Sequence, residues 1–519
     1  MVDIIEPKVK IVDYGPEFRF SNGKKITPDE FVYAAANITY KDIGALQEFM
    51  ELKETEADLE GKVSNALITV AGAGHASMAT TPGLWIFLEG TCSKLVDSIF
   101  TGAKFGSSLM PSGRRVPIDI SQIVIPKGIR EKGEKAEKIY LETSERNIRT
   151  YEEVQKRGVS KQEASKIVQY GHRGGGFMFM PLETFIYFSK LIEEDPNAMP
   201  REGKEIISQI EEKMNSMGMD ITYCARKEAP RTGVVNPNIF HFRKNLAEEL
   251  RKNYSSSPAI INCNIILSKE RAKRIIEYLK NRKEIFKNSE SVKKNWKYLL
   301  FELDQIVRDF NDSVSVVTST LTPWRVWGEV KRHRTLPQTA ESVYHATSKA
   351  IKEIKENGND PDIFKNIVSI PSGLTQDSEA FLNWTESFKN SLESYNTLLE
   401  MGVPKSDAIA VIPRGLKLGV IKRFDFYNLT LGYMSLRLCE TAEPEMRKIT
   451  EQERRLIKNS PAMPEIIGNL IDEKCIYTGF CPEKNFCNRI EIAPGLVYSE
   501  EIHKEFKEKR KEEIKSKLL

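Results

Sequence analysis

Two stretches of the chain repeat the same landmarks, and this repetition limits the possible fold more than any other feature. Residues 150–164 and 394–408 each carry a Tyr, then Gly-Val seven residues later, and then Lys and Ala at matching positions. The pattern predicts a helix that ends at a Gly in the left-handed conformation, followed by a short turn and a new capped helix. Such turns are common, so this pair alone fits two unrelated turns as well as a repeat.

A second pair of stretches favours a repeat. An apolar-patterned helix runs into Gly102-Ala103-Lys104 in one stretch and into Arg332-His333-Arg334 in the other, and seven residues separate each triplet from a Ser, at Ser112 and Ser342. Both landmarks occur in the same order, which indicates an internal duplication. We predict an N-terminal copy at residues 1–245 and a C-terminal copy at 246–519, joined near residues 227–237. A chain of 519 residues also exceeds what one core usually supports.

Composition excludes several classes of protein. The net charge of +4 gives no electrostatic case for nucleic-acid binding, which needs a concentrated basic face. No apolar run reaches the roughly 18 residues of a membrane span, and residues 1–10 lack the core of a signal peptide. Seven cysteines are too few for a disulfide scaffold in a chain of this length. We therefore expect a cytoplasmic protein that binds neither nucleic acid nor membrane.

Periodicity predicts a mixture of helices and strands. Residues 269–287 and 291–310 have apolar positions three and four apart on a charged background, which is typical of amphipathic helices. The β-branched runs at residues 9–12 and 260–266 favour strands. Trp324 and Trp327, three residues apart on the helix before the second triplet, are expected in the core.

The triplet Arg332-His333-Arg334 is the strongest candidate for chemistry. Two guanidinium groups beside an imidazole suit a pyrophosphate, which accepts bidentate charge-assisted hydrogen bonds, and an electron-rich ring system, which accepts donors and stacking. Ser342 would add a donor for a phosphate oxygen. The alternative is a solvated basic turn, because cations also complement the C-terminal end of a helix.

The surroundings of the triplet distinguish these interpretations. Arg-His-Arg, seven residues and a Ser form the signature of the flavin-dependent thymidylate synthases, which the chain resembles over about residues 300–450. Residues 395–408 resemble the family stretch Y-x-x-L-L-E-x-G-V-P-x-x-x-A, and residues 436–447 resemble its ending L-R-x-x-x-x-A-Q-x-E-I-R. These landmarks follow one another in the family's order.

The resemblance implies roles for individual residues. Arg332, His333 and Arg334 would contact FAD, and Ser342 would help hold the phosphate of dUMP. Arg437 would lie against the pyrimidine as a catalytic residue, where a fixed guanidinium stabilises the negative charge that builds on the ring. The implied reaction converts dUMP to dTMP, with NADPH and methylene-tetrahydrofolate, or a related pterin, as co-substrates.

The resemblance also implies an architecture. The family fold is α+β, a mostly antiparallel twisted sheet wrapped by helices, and it usually forms a homotetramer. Two tandem copies of this domain would reach the same geometry as a homodimer. The predicted partner is therefore a small-molecule nucleotide together with a second copy of the chain.

The N-terminal copy keeps different parts of the pattern. Its triplet cannot grip a pyrophosphate as two arginines can, but Ser112 and Arg114 match the family's substrate-phosphate pair, and His75 lies in a G-H-x-S element whose His approaches the flavin. A buried structural histidine and ordinary surface charge are the alternatives for His75 and Arg114. Because the family assembles each site from several subunits, we hypothesise composite sites that draw on both copies.

The C-terminal copy departs from the family pattern R-H-R-x-x-S-x-N-E-x-S-x-R-Y around its Ser. A Glu stands one place from its expected position, at Glu341, and four family residues are replaced, by Pro337, Thr339, Ala340 and Tyr344. The sequence therefore leaves three functions open: thymidylate synthesis, methylation of another pyrimidine nucleotide, and non-catalytic binding of a flavin or nucleotide.

Three cysteines near the C-terminus match no expected site. Cys475, Cys481 and Cys487 have five residues between neighbours, whereas zinc sites more often have two to four and need four ligands. The sequence predicts no metal centre.

Overall fold

The computed structural model describes residues 2–19, 23–37, 44–111, 118–230, 236–241, 257–357 and 360–518. Two compact units make up the chain. Unit 1 contains Met1–Lys244, Pro323–Arg334 and Ala340–Leu418, and unit 2 contains Asn245–Thr322, Thr335–Thr339 and Gly419–Leu519. The predicted boundary near residue 245 and the middle of the predicted connector lie outside the described residues, so the division into two copies stays a prediction.

Residues 2–230 alternate strands and helices. The strands are β1 (Asp3–Ile4), β2 (Glu6–Gly15), β3 (Phe18–Arg19), β4 (Lys25–Ile26), β5 (Gly83–Thr91), β6 (Ser107–Leu109), β7 (Val124–Ile125) and β8 (Gly176–Pro181). The helices are α1 (Pro28–Asn37), α2 (Ala45–Thr55), α3 (Leu59–Gly72), α4 (Ser77–Thr80), α5 (Leu95–Phe100), α6 (Lys127–Arg130), α7 (Glu134–Lys156), α8 (Lys161–Ala164), α9 (Leu182–Glu194), α10 (Arg201–Glu211) and α11 (Asp220–Lys227).

Residues 257–518 are richer in helix. The strands are β9 (Ala259–Ile265), β10 (Val314–Pro323), β11 (Gln338–Ala340) and β12 (Lys417–Phe424). The helices are α12 (Lys269–Phe286), α13 (Ser289–Phe310), α14 (Trp324–Val330), α15 (Val343–Asn357), α16 (Pro361–Ile367), α17 (Ser378–Glu400), α18 (Lys405–Ala408), α19 (Phe426–Leu429), α20 (Tyr433–Arg437), α21 (Pro444–Lys458), α22 (Glu465–Gly468), α23 (Lys474–Thr478) and α24 (Glu500–Lys515).

The main sheet of unit 1 has the order β2-β5-β8-β6, and every neighbouring pair is antiparallel. A register shift between Ile11 and Asp13 bends β2 against β5. Burial alternates along β5, which is the pattern of a strand that covers a core with one face. The predicted strand at residues 9–12 and the predicted antiparallel pairing are both confirmed here.

A second four-stranded sheet, made chiefly of unit 2 residues, has the order β9-β10-β12-β11. Strands β9 and β10 are antiparallel, with a register shift between Val317 and Thr318. In each sheet the strands follow one another in space as first, second, fourth and third along the chain. The predicted strand at residues 260–266 and the predicted helices at residues 269–287 and 291–310 are confirmed by β9, α12 and α13.

Helices α7 and α17 pack against each other within unit 1 through small polar side chains. Three buried pairs of residues are hydrogen-bonded across them: Thr143 with Ser394 (2.7 Å), Asn147 with Ser391 (3.0 Å) and Thr150 with Ser387 (2.6 Å). Short side chains let two helices approach closely while their hydroxyl and amide groups stay satisfied. The seam is therefore a packed and polar one.

Both helices end as the repeated landmarks predict. Gly158 follows α7 at a φ of 87°, and Gly402 follows α17 at a φ of 77°. Each Gly is followed by a one-turn helix, α8 or α18. A left-handed Gly stops the helix without the steric cost that a Cβ would add. Among the described residues, no helix combines the length and apolar character needed to cross a bilayer.

Candidate functional site

Helix α14 leads into the triplet, and its two tryptophans fix its position. Trp324 and Trp327 are fully buried, and the Trp324 Nε1 group donates a hydrogen bond to Ser98 Oγ at 3.1 Å. The backbone N–H groups of Trp324 and Arg325 donate to the carbonyls of Leu416 and Arg414. The prediction that both tryptophans belong to the core is confirmed, and they hold the start of α14 rigidly.

The triplet forms the turn that follows α14. Arg332 is exposed and His333 is half-buried. Arg334 donates from Nε to the carbonyl oxygen of Ala103 at 2.8 Å, so this triplet lies against the corresponding triplet of the N-terminal half. Partial burial, together with the nearby Arg332, lowers the pKa of Arg334 below its usual range.

Buried cations crowd the base of this turn. Lys331 is buried, with its ammonium 5.1 Å from the centre of the Trp327 ring, and it donates to the carbonyl oxygen of Asp97. Burial lowers the pKa of Lys331 far below its ordinary value, and Arg332 and Lys94 lower it further. An anion bound here would relieve this repulsion and favour the charged amine.

Lys94 belongs to the same group. It is buried, forms an ion pair with Asp97 and donates to the carbonyl of Pro111. Burial lowers the pKa of Lys94, and Arg332 is one of the cations that lower it further, against the opposing effect of Asp97. Sequence reasoning missed Lys94, Asp97 and Lys331, because a Lys near a helix end usually indicates a solvated residue.

Ser342 lies just before α15 in unit 1. Its side chain is buried, and its Oγ atom has no hydrogen-bond partner among the residues that the structure describes. A buried hydroxyl without a partner is costly, so such a group is expected to meet a ligand atom or an ordered water. The geometry fits the predicted phosphate donor.

Two residues beside Ser342 that depart from the family pattern have buried side chains. Tyr344 stands where the family has an Arg; it is buried, and its hydroxyl donates to the carbonyl of Asn197 at 3.0 Å. Glu341 is also buried and accepts from His345 Nδ1 at 2.7 Å. Neither side chain replaces the cation that the family pattern supplies.

Arg437 is the last residue of α20 and belongs to unit 2, where it is half-buried. The same unit contains a fully buried ion pair between Lys422 Nζ and Glu453 Oε2 at 2.5 Å. Glu453 also accepts from the hydroxyl of Thr318. This network fixes β12 against α21 and thereby supports the part of unit 2 from which α20 projects.

The remaining predicted residues belong to the N-terminal half. His75 lies in the turn between α3 and α4 and is exposed, so the alternative of a buried histidine is wrong. The preceding Gly74 has a φ of 98°, which favours Gly at this sharp turn. Ser112 and Arg114 lie outside the described residues.

Comparison with known proteins finds a family model that matches the part of the chain that contains the triplet. The model of the family described as "Thymidylate synthase complementing protein" matches residues 271–464, which include Arg332, Ser342 and Arg437. The matching relatives are named flavin-dependent thymidylate synthases. Residues 271–464 are therefore similar to the flavin-dependent thymidylate synthase family. The resemblance predicted from the Arg-His-Arg signature is confirmed.

The relatives match only part of their own length. The flavin-dependent thymidylate synthase of Thermococcus kodakarensis is 29% identical over 126 residues, which cover 24% of this chain and 51% of that protein. The one from Thermococcus onnurineus is 23% identical over 138 residues, 26% of this chain and 55% of that protein. The one from Saccharolobus solfataricus is 38% identical over 64 residues, 12% of this chain and 24% of that protein. The chain therefore spans about half the length of the first two relatives.

Two solved structures are also similar to this chain. The UMP/dUMP methylase PolB from Streptomyces cacaoi, bound with 5-Br dUMP, is 13% identical with a TM-score of 0.35, over 45% of this chain and 100% of that one. The same enzyme bound with 5-Br UMP has a TM-score of 0.30, over 45% of this chain and 99% of that one.

Proposed function

We propose that the protein is an FAD-dependent thymidylate synthase-like methyltransferase that converts dUMP to dTMP with NADPH and methylene-tetrahydrofolate. The similarity of residues 271–464 to the family supports a flavin-dependent pyrimidine methylase. The observation that carries the proposal is the crowding of Lys94, Lys331 and Arg334 around Arg332 at one turn of unit 1, where burial and the charge of Arg332 lower the pKa values of the other three. Such a crowd of cations favours a pyrophosphate or phosphate.

Each predicted residue then has a distinct task. Arg332, His333 and Arg334 would hold the FAD, which supplies the hydride chemistry when it is bound. The Ser342 hydroxyl would donate to the phosphate of dUMP, since no described residue forms a hydrogen bond with its Oγ atom. Arg437 would stabilise negative charge on the uracil ring as carbon 5 becomes nucleophilic.

The pairing of α7 with α17 supports an internal duplication. A shift of 244 residues carries Tyr151 onto Tyr395. The same shift relates Thr143 to Ser387 and Thr150 to Ser394, so the Thr143–Ser394 contact and the Thr150–Ser387 contact are equivalent. It also relates Asn147 to Ser391, which is its own hydrogen-bond partner. Reciprocal contacts of this kind are the mark of a two-fold interface between equivalent elements.

Two backbone hydrogen bonds in the loops that follow these helices are related by the same shift of 244 residues. The N–H of Gly171 donates to the carbonyl of Ala410 at 3.1 Å, and the N–H of Gly415 donates to the carbonyl of Lys166 at 2.7 Å. The shift of 244 residues exchanges these two bonds. The equal strand order of the two sheets supports the same interpretation. We therefore propose that the chain is a fused pseudo-dimer, and that two chains form a homodimer equivalent to a tetramer of single copies.

The composite site is part of this proposal. Arg334 already contacts Ala103 of the N-terminal triplet, which supports the sharing of residues between the two halves. His75, Ser112 and Arg114 would complete the flavin and phosphate contacts that the C-terminal pattern lacks.

A second candidate is methylation of a different pyrimidine nucleotide. The buried Tyr344 in place of the family Arg favours it, because that position offers no cation to a substrate phosphate. Release of the carbon-5 proton from dUMP, in the presence of NADPH and methylene-tetrahydrofolate, supports thymidylate synthesis. Release from UMP or an RNA-linked uridine instead would support the second candidate.

Flavin content tests the triplet directly. We expect Arg332→Ala to weaken FAD binding by about tenfold or more, because one charge-assisted contact to the pyrophosphate is lost. The measurement is flavin absorbance per chain after gel filtration, with FAD titrated back. Arg308→Ala, at an exposed Arg on α13 paired with Asp304, is the matched control. An unchanged FAD affinity in Arg332→Ala would show that the triplet is misassigned.

A further inference from the structure

Strand β5 of unit 1 carries large apolar side chains on both of its faces. Leu84, Ile86 and Leu88 are buried in the core. Trp85 and Phe87 alternate with them along the strand and are 37% and 42% exposed. An antiparallel sheet with one face in water usually alternates apolar and polar residues, whereas a strand that is apolar on both sides is typical of a sheet covered on both faces. The outward side of β5 therefore has the composition of a covered surface.

The neighbouring strands extend this apolar surface. Trp85 pairs with Phe179 on β8, and their ring centres are 4.5 Å apart. Phe87 pairs with Phe177 on the same strand, with ring centres 5.1 Å apart. Phe177 in turn pairs with Leu109 on β6, which is 75% exposed. Because residues directly opposite in an antiparallel pair lie on the same face of the sheet, these five side chains form one continuous surface across three strands, the aromatic face.

The aromatic face is large enough to take part in a stable interface. Since an aromatic side chain has roughly 150–250 Å² of surface, the exposed fractions of the five side chains leave about 400 Å² of apolar area in contact with water. A continuous apolar patch of this size on a protein surface commonly marks an interaction site. Two such faces, together with the polar residues around them, would bury about 1,000 Å², which is what a specific interface between proteins needs.

Charged residues of both signs border the aromatic face along the edge strand β2. Lys10 pairs with Phe87, and Asp13 pairs with Trp85, so both charges lie on the same side of the sheet as the rings. Glu89 follows on β5, with its Oε1 atom 3.8 Å from Lys10 Nζ. In a two-fold interface the same border meets itself in the opposite direction, so a border that carries both signs is complementary to itself. This arrangement favours a second copy of the chain over a partner of uniform charge.

We propose that two chains associate through the aromatic faces of their unit 1 sheets. The two sheets would stack face to face about 10 Å apart, so that Trp85 and Phe87 of each chain pack among the rings of the other. Removal of this apolar area from water supplies the driving force for association. The aromatic face would then be the surface of the homodimer proposed above, and its assignment rests on that proposed assembly.

Sedimentation equilibrium of the full chain tests the proposal, over a series of micromolar concentrations and without flavin or nucleotide. We expect the parent to sediment at twice the mass of one chain. Phe87→Glu should raise the dissociation constant of the dimer by about 100-fold or more, because two-fold symmetry buries two new carboxylates in one apolar interface. Phe301→Glu, the same change at an exposed Phe on α13 of unit 2, should leave the dimer intact. Equal dissociation of both variants would overturn the assignment.

A second variant decides if Phe87→Glu does not yield a folded chain by circular dichroism. Leu109→Glu introduces the same charge at a more exposed position of the aromatic face, so it should fold and should dissociate the dimer. Folded variants of the aromatic face that stay dimeric would overturn this surface and leave the homodimer standing. A parent that is monomeric at every concentration would overturn both, and the aromatic face would then belong to a different partner. Neither result depends on the flavin site, which Arg332→Ala tests separately.

Discussion

Ser342 combines two properties that rarely coexist in a folded protein: its hydroxyl is buried, and it has no hydrogen-bond partner within the described part of the chain. Leaving such a group unsatisfied costs about 1–3 kcal/mol. The proposed phosphate site would explain the cost, because a ligand oxygen would then complete the hydrogen bond. The same residue can therefore weaken the empty protein and strengthen the complex.

Replacing Ser342 by Ala should thus have opposite effects on stability and on binding. The empty protein should gain about 1 kcal/mol in its free energy of unfolding, since the orphan hydroxyl is removed. Affinity for dUMP should fall by about tenfold, since a charge-assisted hydrogen bond is lost. Urea unfolding and isothermal titration with dUMP measure the two effects.

Ser348→Ala is the control for this prediction. Ser348 lies on α15, the helix that begins directly after Ser342, and its hydroxyl already donates to the carbonyl of Tyr344 at 3.0 Å. Its removal should leave dUMP affinity unchanged. Equal loss of affinity in both variants would mean that Ser342 acts through the helix and not through the phosphate.

Residues close in sequence were easier to predict than residues brought together by folding. Arg332, His333 and Arg334 are contiguous, so their chemistry could be read directly, and the two tryptophans before them showed helical spacing. Lys94 and Asp97 come from a segment more than 200 residues away, and their burial runs against the usual exposure of Lys and Asp. Only the folded chain shows that they underlie the triplet.

For the helices, patterns within a short stretch of sequence predicted where each one lies, but not which helix it packs against. Amphipathic spacing predicted α12 and α13 because each buries one face, and the left-handed Gly residues predicted where α7 and α17 end. The partner of each helix was not predictable. Small polar residues such as Thr143 and Ser394 look like surface positions in a sequence, whereas they lie buried at a helix seam.

The seam between α7 and α17 should be measurable by a double-mutant cycle. Asn147→Ala should lower the free energy of unfolding by about 1–3 kcal/mol, because Ser391 and Gln169 lose a buried partner. Ser391→Ala in the same background should then cost less than it does alone, with a coupling of roughly 1 kcal/mol. Urea unfolding of the four proteins gives the coupling.

Thr397→Ala tests whether the effect belongs to the seam. Thr397 is on α17, but its hydroxyl donates to the carbonyl of Glu393 within the same helix at an exposed position. It should change stability by no more than about 0.5 kcal/mol. If Asn147→Ala and Ser391→Ala prove strictly additive, the two helices are held by other contacts.

The proposed duplication concerns the whole molecule, and the sequence supports it only in fragments. The C-terminal half keeps the triplet and loses much of the phosphate pattern, so local motifs disagree between the halves. Strand order and reciprocal contacts survive such exchanges of side chains, because they depend on backbone hydrogen bonds and on the size of packed groups. A comparison of sequences can therefore miss the similarity of two segments whose strand order and contacts are alike.

The free energy of unfolding should depend on pH in part through the buried carboxyl group of Glu202. Glu202 on α10 is buried and accepts hydrogen bonds from the N–H and hydroxyl of Ser93. Burial raises its pKa from 4.5 to about 8, although the bonds from Ser93 act in the opposite direction. Between these two values the folded chain holds a proton that the unfolded chain has lost. Glu202 therefore stabilises the fold fully below pH 4.5, and this contribution is lost as the pH rises towards 8.

Glu202→Gln should remove this dependence, because an amide keeps the hydrogen-bonding shape of the protonated acid and cannot ionise. The difference in unfolding free energy between Glu202→Gln and the parent should grow with pH, by at most about 1.4 kcal/mol per pH unit between the two pKa values, and should level off above the higher one. Urea unfolding at a series of pH values measures it. Glu212→Gln, at the exposed end of the same helix, should show a flat difference. A flat difference for Glu202→Gln as well would mean that this carboxyl group ionises in the folded protein as readily as in the unfolded chain.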